Sequence, residues 1–162
     1  MSVSKLSPED IRKHKGVSFV GVVTTFLMYT KDGEFFMAKR SKNARDEHGK
    51  WEIQGGGLKL GKTLEENVVC EMEEESNTKP IKMEFLGHRE VFRNLGDGTP
   101  THWIAMDFAV LVDKAEVKIN ETDIFDDSGW FTLANQPSPV HSQHKELIAK
   151  YRNRLETLLK ID

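Results

Sequence analysis

Cysteine is nearly absent from this chain: Cys70 is the single one among 162 residues, which excludes an internal disulfide framework. This scarcity fits a reducing compartment, so a cytoplasmic location is expected. Residues 1–16 lack a continuous apolar run, which argues against a signal peptide and against a membrane span. Internal repeats, low-complexity segments and long linkers are also missing, and we expect one domain covering residues 1–162.

An excess of one charge sign is missing as well. The 26 acidic and 23 basic side chains give a formal net charge of -3, so no large basic field is available to hold a phosphate backbone. Nucleic acid is therefore disfavoured as the main partner. The hydrophobic content of 38% is sufficient for the core of one ordinary globular domain.

The apolar residues follow the periodicities of strands and helices. Residues 17–30 are rich in β-branched and aromatic side chains, and a turn at 31–34 leads into FFMAKR, which predicts a hairpin. Helical spacing of apolar residues predicts a C-terminal amphipathic helix over about 142–159. Further strands are expected over residues 83–92, 103–112 and 129–133. Strands flanking a central helix predict an α/β sandwich with a mixed or largely antiparallel sheet.

A glycine-rich loop precedes that central helix. Four glycines fall within residues 55–61, which indicates unusual backbone geometry and a close approach of bare backbone to the helix start. Thr63 and Glu66 form a capping box at the predicted first turn. Asn77 is suited to the left-handed conformation that ends many helices, so the helix is expected to run to about this residue.

Three glutamates on this helix lie at positions i, i+3 and i+4, namely Glu71, Glu74 and Glu75. At this spacing the side chains project toward one another, and each like-charged pair costs about 0.2–0.5 kcal/mol on an isolated helix. A bound cation would reverse that cost. A solvated acidic helix is the alternative interpretation, but the adjacent glycine loop favours a site for Mg²⁺ or Mn²⁺, which prefer hard oxygen ligands.

The segment from Gly56 to Thr78 resembles the Nudix box, whose pattern is G-x5-E-x7-R-E-U-x-E-E-x-G-U with U a bulky aliphatic residue. The residues that match in register are Gly56, Glu71, Met72, Glu74 and Glu75. The W-x-I-x-G-G-G run before the box and the pair Trp130-Phe131 also look like the family. The resemblance covers nearly the whole chain. It implies an α/β/α sandwich with a mixed central sheet, a box helix and a C-terminal amphipathic helix.

Four residues depart from the pattern: Lys62 replaces a glutamate, Cys70 an arginine, Asn77 a glycine and Thr78 an aliphatic residue. Cys70 is the most serious departure, because the family arginine orients and neutralises the neighbouring glutamates and a neutral thiol does neither. Lys62 reverses a charge at the edge of the metal site, and we treat it as a candidate contact for a substrate phosphate. Asn77 is a mild departure, since asparagine tolerates the left-handed conformation.

The resemblance implies metal-dependent hydrolysis of a diphosphate linkage. The residues that it assigns to metal binding and acid–base chemistry are Glu71, Glu74 and Glu75, with the carbonyl of Gly55 as a further metal ligand. In the family the last carboxylate often comes from the loop before the Trp-Phe strand, which indicates Asp126 or Asp127, and Asp127 is the predicted metal ligand. Arg40, at the end of the second hairpin strand, is a candidate substrate contact, with a plain surface arginine as an equal alternative.

Several other residues have open roles in the sequence. Trp103 and Phe19 are candidates for stacking on a base, although aromatic residues in strands are more often part of the core. Asp107 either lines a pocket or meets a buried partner. His141 and His144 lack a third residue to complete a zinc site.

The implied substrate is a small-molecule nucleoside diphosphate derivative, with ADP-ribose or a nucleotide sugar narrowly preferred over a nucleoside triphosphate. A second hypothesis is a catalytically degenerate Nudix domain that binds nucleotides as a sensor or regulator, because Lys62 and Cys70 alter the box. Many family members form dimers. The N-terminal hairpin or the C-terminal helix would provide the surface for a homodimer, and neither excludes a monomer.

Overall fold

The computed structural model describes residues 6–160. The helices are α1 (Pro8–His14), α2 (Leu64–Ser76) and α3 (Ser142–Leu158), with one 3-10 turn at Lys114–Glu116. The strands are β1 (Gly21–Tyr29), β2 (Phe35–Arg40), β3 (Trp51–Glu52), β4 (Gln54–Gly57), β5 (Lys82–Asn94), β6 (Pro100–Leu111) and β7 (Phe125–Phe131). Over this range no helix has both the length and the apolar character that crossing a membrane requires.

Within the described residues, seven strands form one mixed sheet with β1 near its centre. β1 runs parallel to β6 and antiparallel to β4, and β5 and β6 form a long antiparallel hairpin. The predicted hairpin of β1 and β2 exists at its turn, where Tyr29 pairs with Phe35. Beyond that pair the two strands separate, since β4 takes the place beside β1 while β2 pairs with β3 and β7.

Alternation along the central strands divides the apolar core into two layers. On β1, Leu27 and Tyr29 pack with residues of α3, whereas Phe26 and Met28 pack with residues of α2. β2 and β6 alternate in the same way. Successive side chains of a strand point to opposite faces, so each face of the sheet receives its own helix. This arrangement confirms the α/β/α sandwich with a mixed central sheet.

Helix α2 has the ends that the sequence predicts. The Thr63 hydroxyl accepts from the N–H of Glu66 at 3.1 Å, and the Glu66 carboxylate accepts from the N–H of Thr63 at 2.8 Å, which completes the capping box. Asn77 has φ 49° and ψ 35°, the left-handed conformation. Asparagine therefore provides the helix stop for which the Nudix pattern uses glycine.

Two elements differ from the prediction. Helix α1, which begins at a capping box between Ser7 and Asp10, was not predicted, and it has no buried residue. Strand β7 begins at Phe125 rather than at the predicted 129, and its residues 126–128 are exposed. Because those polar residues have no apolar alternation, the hydrophobic pattern of the sequence did not indicate a strand there.

Candidate active site

The glycines of β4 allow a polar side of α2 to lie against the sheet. The buried polar residues of α2 are Asn67, Glu71, Glu75 and Ser76. An ideal Cβ on Gly56 would lie 2.1 Å from Cδ of Glu71, and one on Gly55 would lie 2.6 Å from the carbonyl oxygen of Thr24 on β1. Glycine at residue 56 therefore leaves the space that the Glu71 carboxylate occupies, and glycine at residue 55 permits close pairing with β1.

Hydrogen bonds between buried side chains hold α2 against β1 and β4. The Asn67 amide donates to Thr24 Oγ1 at 2.8 Å, and its carbonyl oxygen accepts from the N–H of Lys59 at 3.0 Å. At the other end of the helix, the Ser76 hydroxyl donates to the side-chain oxygen of Gln54. These residues were not predicted from the sequence; the available signal was a polar side chain on the buried arc of an amphipathic helix.

The three predicted glutamates lie in different environments. Glu71 and Glu75 are 8% and 7% exposed, whereas Glu74 is exposed to solvent. Nζ of Lys59 lies 2.6 Å from Oε1 of Glu74 and 3.4 Å from Oε1 of Glu71. Oε2 of Glu75 is buried and has no hydrogen-bond partner among residues 6–160. The helix therefore carries one solvent-facing carboxylate, one shared with a lysine, and one that is buried without a cation.

Burial perturbs the two inner carboxylates. Burial raises the pKa of Glu75 well above its ordinary range, and the charge of Glu71 raises it further. Burial also raises the pKa of Glu71, while the ammonium of Lys59 opposes that rise. Both carboxylates are thus destabilised in their charged form, and a further positive charge beside them would relieve this.

These features fit a hard divalent cation. The Gly56 cradle, the unpartnered Oε2 of Glu75 and the adjacent carboxylates offer oxygen ligands of the kind that Mg²⁺ and Mn²⁺ prefer. Across residues 6–160, no three acidic, histidine or cysteine side chains already converge on a ready-made metal site. Lys59, which pairs with Glu71 and Glu74, takes up part of the space in which such ligands would meet.

The loop before β7 closes the C-terminal end of α2. The N–H of Asn120 donates to the carbonyl of Glu75 at 2.8 Å, and its side-chain amide donates to the carbonyl of Glu73 at 3.1 Å. These bonds satisfy carbonyls that a helix end leaves free. They also bring Glu121 to the site, because after burial and the nearer charges the charge of Glu121 also raises the pKa of Glu71 and of Glu75.

Asp127, the predicted carboxylate of this region, is placed differently. It is an exposed residue of β7 opposite Lys39 of β2, and its Oδ1 accepts from the N–H of Ser128 at 2.8 Å. The structure therefore brings Glu121, rather than Asp127, beside the helix glutamates. Sequence reasoning missed Glu121, whose only signal was its position in the segment before the Trp-Phe strand.

A cavity of about 300 Å³ opens beside β4 and is lined in part by Gly55, Gly56 and Trp103. The Trp103 indole packs on backbone: an ideal Cβ on Gly16 or Gly21 would lie 2.2 Å or 2.4 Å from its ring atoms. The Arg45 guanidinium lies over the ring, 5.7 Å from the ring centroid. Trp103 thus forms an aromatic wall of the cavity, whereas Phe19 is 47% exposed and is absent from the lining.

The predicted basic contacts have different surroundings. Arg40 lines the cavity, but Nε and Nη2 donate to Asp46 at 2.8 and 2.9 Å and Nη1 donates to Glu52 at 2.5 Å. Arg45 makes no hydrogen bond or ion pair with the residues the structure describes, so its charge is free to meet an anion. Lys62 is exposed in the loop between β4 and α2. The basic residue best placed for a ligand in the cavity is therefore Arg45.

Asp107 meets buried partners. Its Oδ2 accepts from Arg89 Nε at 2.8 Å and from the Tyr151 hydroxyl at 2.9 Å, and its Oδ1 accepts from Thr25 Oγ1 at 2.5 Å. Of the two alternatives left open by the sequence, the structure supports the buried partner. The network ties β1, β5, β6 and α3 together behind the cavity.

The sequence profile of the NUDIX domain matches residues 19–151, and the chain therefore belongs to the Nudix family. Among solved structures, it is similar to a MutT Nudix hydrolase from Burkholderia pseudomallei (23% identity, 82% of this chain and 98% of that chain covered, TM-score 0.71). It is also similar to the Nudix domain of Shewanella oneidensis NrtR complexed with ADP ribose (17% identity, 93% and 99% covered, TM-score 0.67). A third similar structure is the MutT protein from Methanosarcina mazei Go1 (24% identity, 86% and 92% covered, TM-score 0.59). No curated protein sequence matches the chain.

Proposed function

We propose that this Nudix chain hydrolyses a diphosphate linkage in a nucleoside diphosphate derivative, with Mg²⁺ or Mn²⁺ as cofactor. The observation that carries the proposal is the buried and unpartnered Oε2 of Glu75, beside Glu71 and the glycine strand that lines the cavity. Burying a carboxylate without a partner destabilises a fold, and strongly perturbed carboxylates next to a cavity are a mark of functional sites.

The residues that would hold the cation are Glu71, Glu74, Glu75 and the carbonyl of Gly55, with Glu121 as a more suitable further ligand than Asp127. A bound divalent cation would neutralise the bridging phosphates and lower the pKa of a water molecule. Oε2 of Glu75, which lacks a hydrogen bond, is available to bind the cation or to accept a proton from that water. Gly56 keeps Glu71 in place by leaving room for its carboxylate.

We propose ADP-ribose or a nucleotide sugar as the substrate class. The cavity of about 300 Å³ is at the lower end of the range for small-molecule sites, and Trp103 offers a face for a base or a sugar. Arg45 adds a free positive charge over that face. The ADP ribose bound by the similar Nudix domain of Shewanella oneidensis NrtR supports this choice over a triphosphate.

A panel of ADP-ribose, nucleotide sugars and nucleoside triphosphates tests the proposal, with release of monophosphate or phosphate measured in Mg²⁺ or Mn²⁺. Wild type is compared with Glu74→Gln and Glu75→Gln, and Glu73→Gln is the matched control because Glu73 is an exposed residue of the same helix. Loss of turnover in the first two variants alone is expected. Turnover that persists in both would contradict the assignment of these carboxylates.

The second candidate function is nucleotide sensing without turnover. Two observations favour it: Cys70 replaces the arginine of the family pattern, and Lys59 pairs with Glu71 and Glu74. Calorimetric titration with ADP-ribose separates the two functions. Metal-dependent binding without release of AMP would establish the sensor, whereas release of AMP would establish the hydrolase.

A further inference from the structure

Lys59 bridges two carboxylates of the acidic helix from the loop between β4 and α2. Its Nζ lies 2.6 Å from Oε1 of Glu74 and 3.4 Å from Oε1 of Glu71. Its backbone N–H donates to Asn67, so the main chain of the lysine is anchored. The side chain itself is 41% exposed, and the next residue, Leu60, is fully exposed. Only the ammonium group is therefore held by the carboxylates, on a flexible four-carbon stem.

A second lysine supports the same loop from outside the matched Nudix residues. Nζ of Lys15 donates to the carbonyl of Leu58 at 2.8 Å and lies 3.0 Å from an ideal Cβ on Gly57. Its charge also interacts with that of Glu71. Together these ammonium groups supply positive charge beside Glu71, where the helix has Cys70 instead of arginine.

The bridging position of Lys59 conflicts with a divalent cation held by Glu71 and Glu74. An ammonium and a divalent ion would share the same carboxylate oxygens and repel each other across a few ångströms. The ion pair is partly exposed and therefore weak, so a divalent ion is able to displace it. Once displaced, the ammonium would remain within one side-chain length of the site, since its backbone is fixed by Asn67.

We propose that Lys59 is a displaceable counter-ion, which neutralises Glu71 and Glu74 in the metal-free protein, yields them to the divalent cation and then binds a phosphate of the substrate. The inference rests on the proposed function of the site. It predicts effects of opposite sign: loss of the lysine charge strengthens binding of the metal alone and weakens binding of a nucleotide in the presence of metal. A lysine with a merely structural role would weaken both.

Binding of Mn²⁺ alone is measured at pH 8 from the electron paramagnetic resonance signal of the free ion, in wild type, Lys59→Met and Lys79→Met. Lys79 is the matched control, because its Nζ lies 3.3 Å from Oε1 of Glu73 on the same helix, which also makes a lysine–glutamate pair. The Kd for Mn²⁺ is expected to fall about fivefold in Lys59→Met and to stay unchanged in Lys79→Met. Lys59→Arg, which keeps the charge, should remain close to wild type.

Binding of α,β-methylene ADP in saturating Mg²⁺ is then measured by calorimetry in the same proteins. The Kd is expected to rise about fivefold in Lys59→Met, in line with the loss of one charged contact to phosphate. If wild type binds Mn²⁺ and Lys59→Met binds it equally or more weakly, the counter-ion role is overturned. An unchanged nucleotide Kd overturns the phosphate contact. If wild type binds no Mn²⁺ at millimolar concentration, the proposed function itself fails, which is a distinguishable result.

Discussion

Gly56 and Glu71 share one space: an ideal Cβ on Gly56 would lie 2.1 Å from both Cδ and Oε2 of the Glu71 carboxylate. The φ of Gly56 lies outside the left-handed region, so glycine is required here by the contact and not by the backbone conformation. Glu71 is buried and paired with Lys59, which leaves its carboxylate little freedom to move aside. The glycine strand and the acidic helix therefore form a single structural unit.

Gly56→Ala is expected to displace the Glu71 carboxylate and lower kcat/KM about 100-fold, since a misplacement of about 1 Å in a catalytic group has effects of this size. The added methyl group should also destabilise the fold by about 1–3 kcal/mol. Steady-state kinetics and thermal unfolding check both effects. Gly96→Ala is the control, because an ideal Cβ on Gly96 meets nothing within 4 Å. Wild-type kinetics in Gly56→Ala would show that Glu71 tolerates displacement.

Glu75→Gln should stabilise the metal-free protein while abolishing turnover. The raised pKa of Glu75 has burial as its main cause, which means that the charged form destabilises the fold at neutral pH. A neutral amide removes that penalty, and a rise in Tm of about 2–4 °C would correspond to about 1 kcal/mol for a chain of this size. Thermal unfolding at pH 7.5 in EDTA is the measurement, with Glu73→Gln as the exposed control. A lower Tm in Glu75→Gln would show that the carboxylate has a stabilising partner.

The sequence was sufficient for features that depend on local patterns. The capping box at Thr63 and the helix stop at Asn77 are confirmed, because each depends on residues within one helical turn. Alternation of apolar residues located the central strands and the C-terminal helix. The family assignment is confirmed over residues 19–151, since the spacing of the glutamates survives the four departures from the Nudix pattern.

Features that depend on distant contacts were not predictable. Lys59 meets Glu74 because α2 folds back on its own preceding loop, and nothing in the local pattern distinguishes Lys59 from Lys62. Glu121 reaches the site through hydrogen bonds that its neighbour Asn120 makes to α2. The separation of β1 from β2 likewise depends on β4, which enters the sheet between two strands that the sequence places in one hairpin.

Glu121→Gln is expected to lower kcat about 10- to 100-fold, the range seen when a group next to metal ligands is removed. Its charge acts on both inner glutamates, whereas Asp127 is exposed on β7 with Ser128 as its hydrogen-bond partner. Asp127→Asn should therefore retain wild-type kcat. Parallel assays of the two variants over a range of Mg²⁺ concentrations decide between the carboxylates. If Asp127→Asn alone loses activity, the prediction from the sequence is correct and the interpretation of the structure is wrong.

Acidification should destabilise the fold through His144. Burial lowers the pKa of His144 to about 4 from an ordinary value of 6.5, and the charge of Arg89 contributes in the same direction. Between these values the unfolded chain binds a proton that the folded chain does not, so stability is present above pH 6.5 and is lost as the pH falls toward 4. The difference in pKa corresponds to a loss of about 2–3 kcal/mol from this residue.

The comparison with His144→Gln isolates that effect. Glutamine stays neutral and is able to bond to Gln136, whose Oε1 lies 2.6 Å from Nε2 of His144. Urea unfolding of wild type and variant at pH 7.5 and pH 4.5 gives the loss of stability in each, and the loss should be smaller in His144→Gln. The buried His141, whose pKa burial also lowers to about 4, retains its own contribution in both proteins, while the raised pKa values of Glu71 and Glu75 act in the opposite direction in both. The exposed His88→Gln is the control, and an equal loss in all three proteins would mean that His144 is already protonated or accessible to solvent in the folded chain.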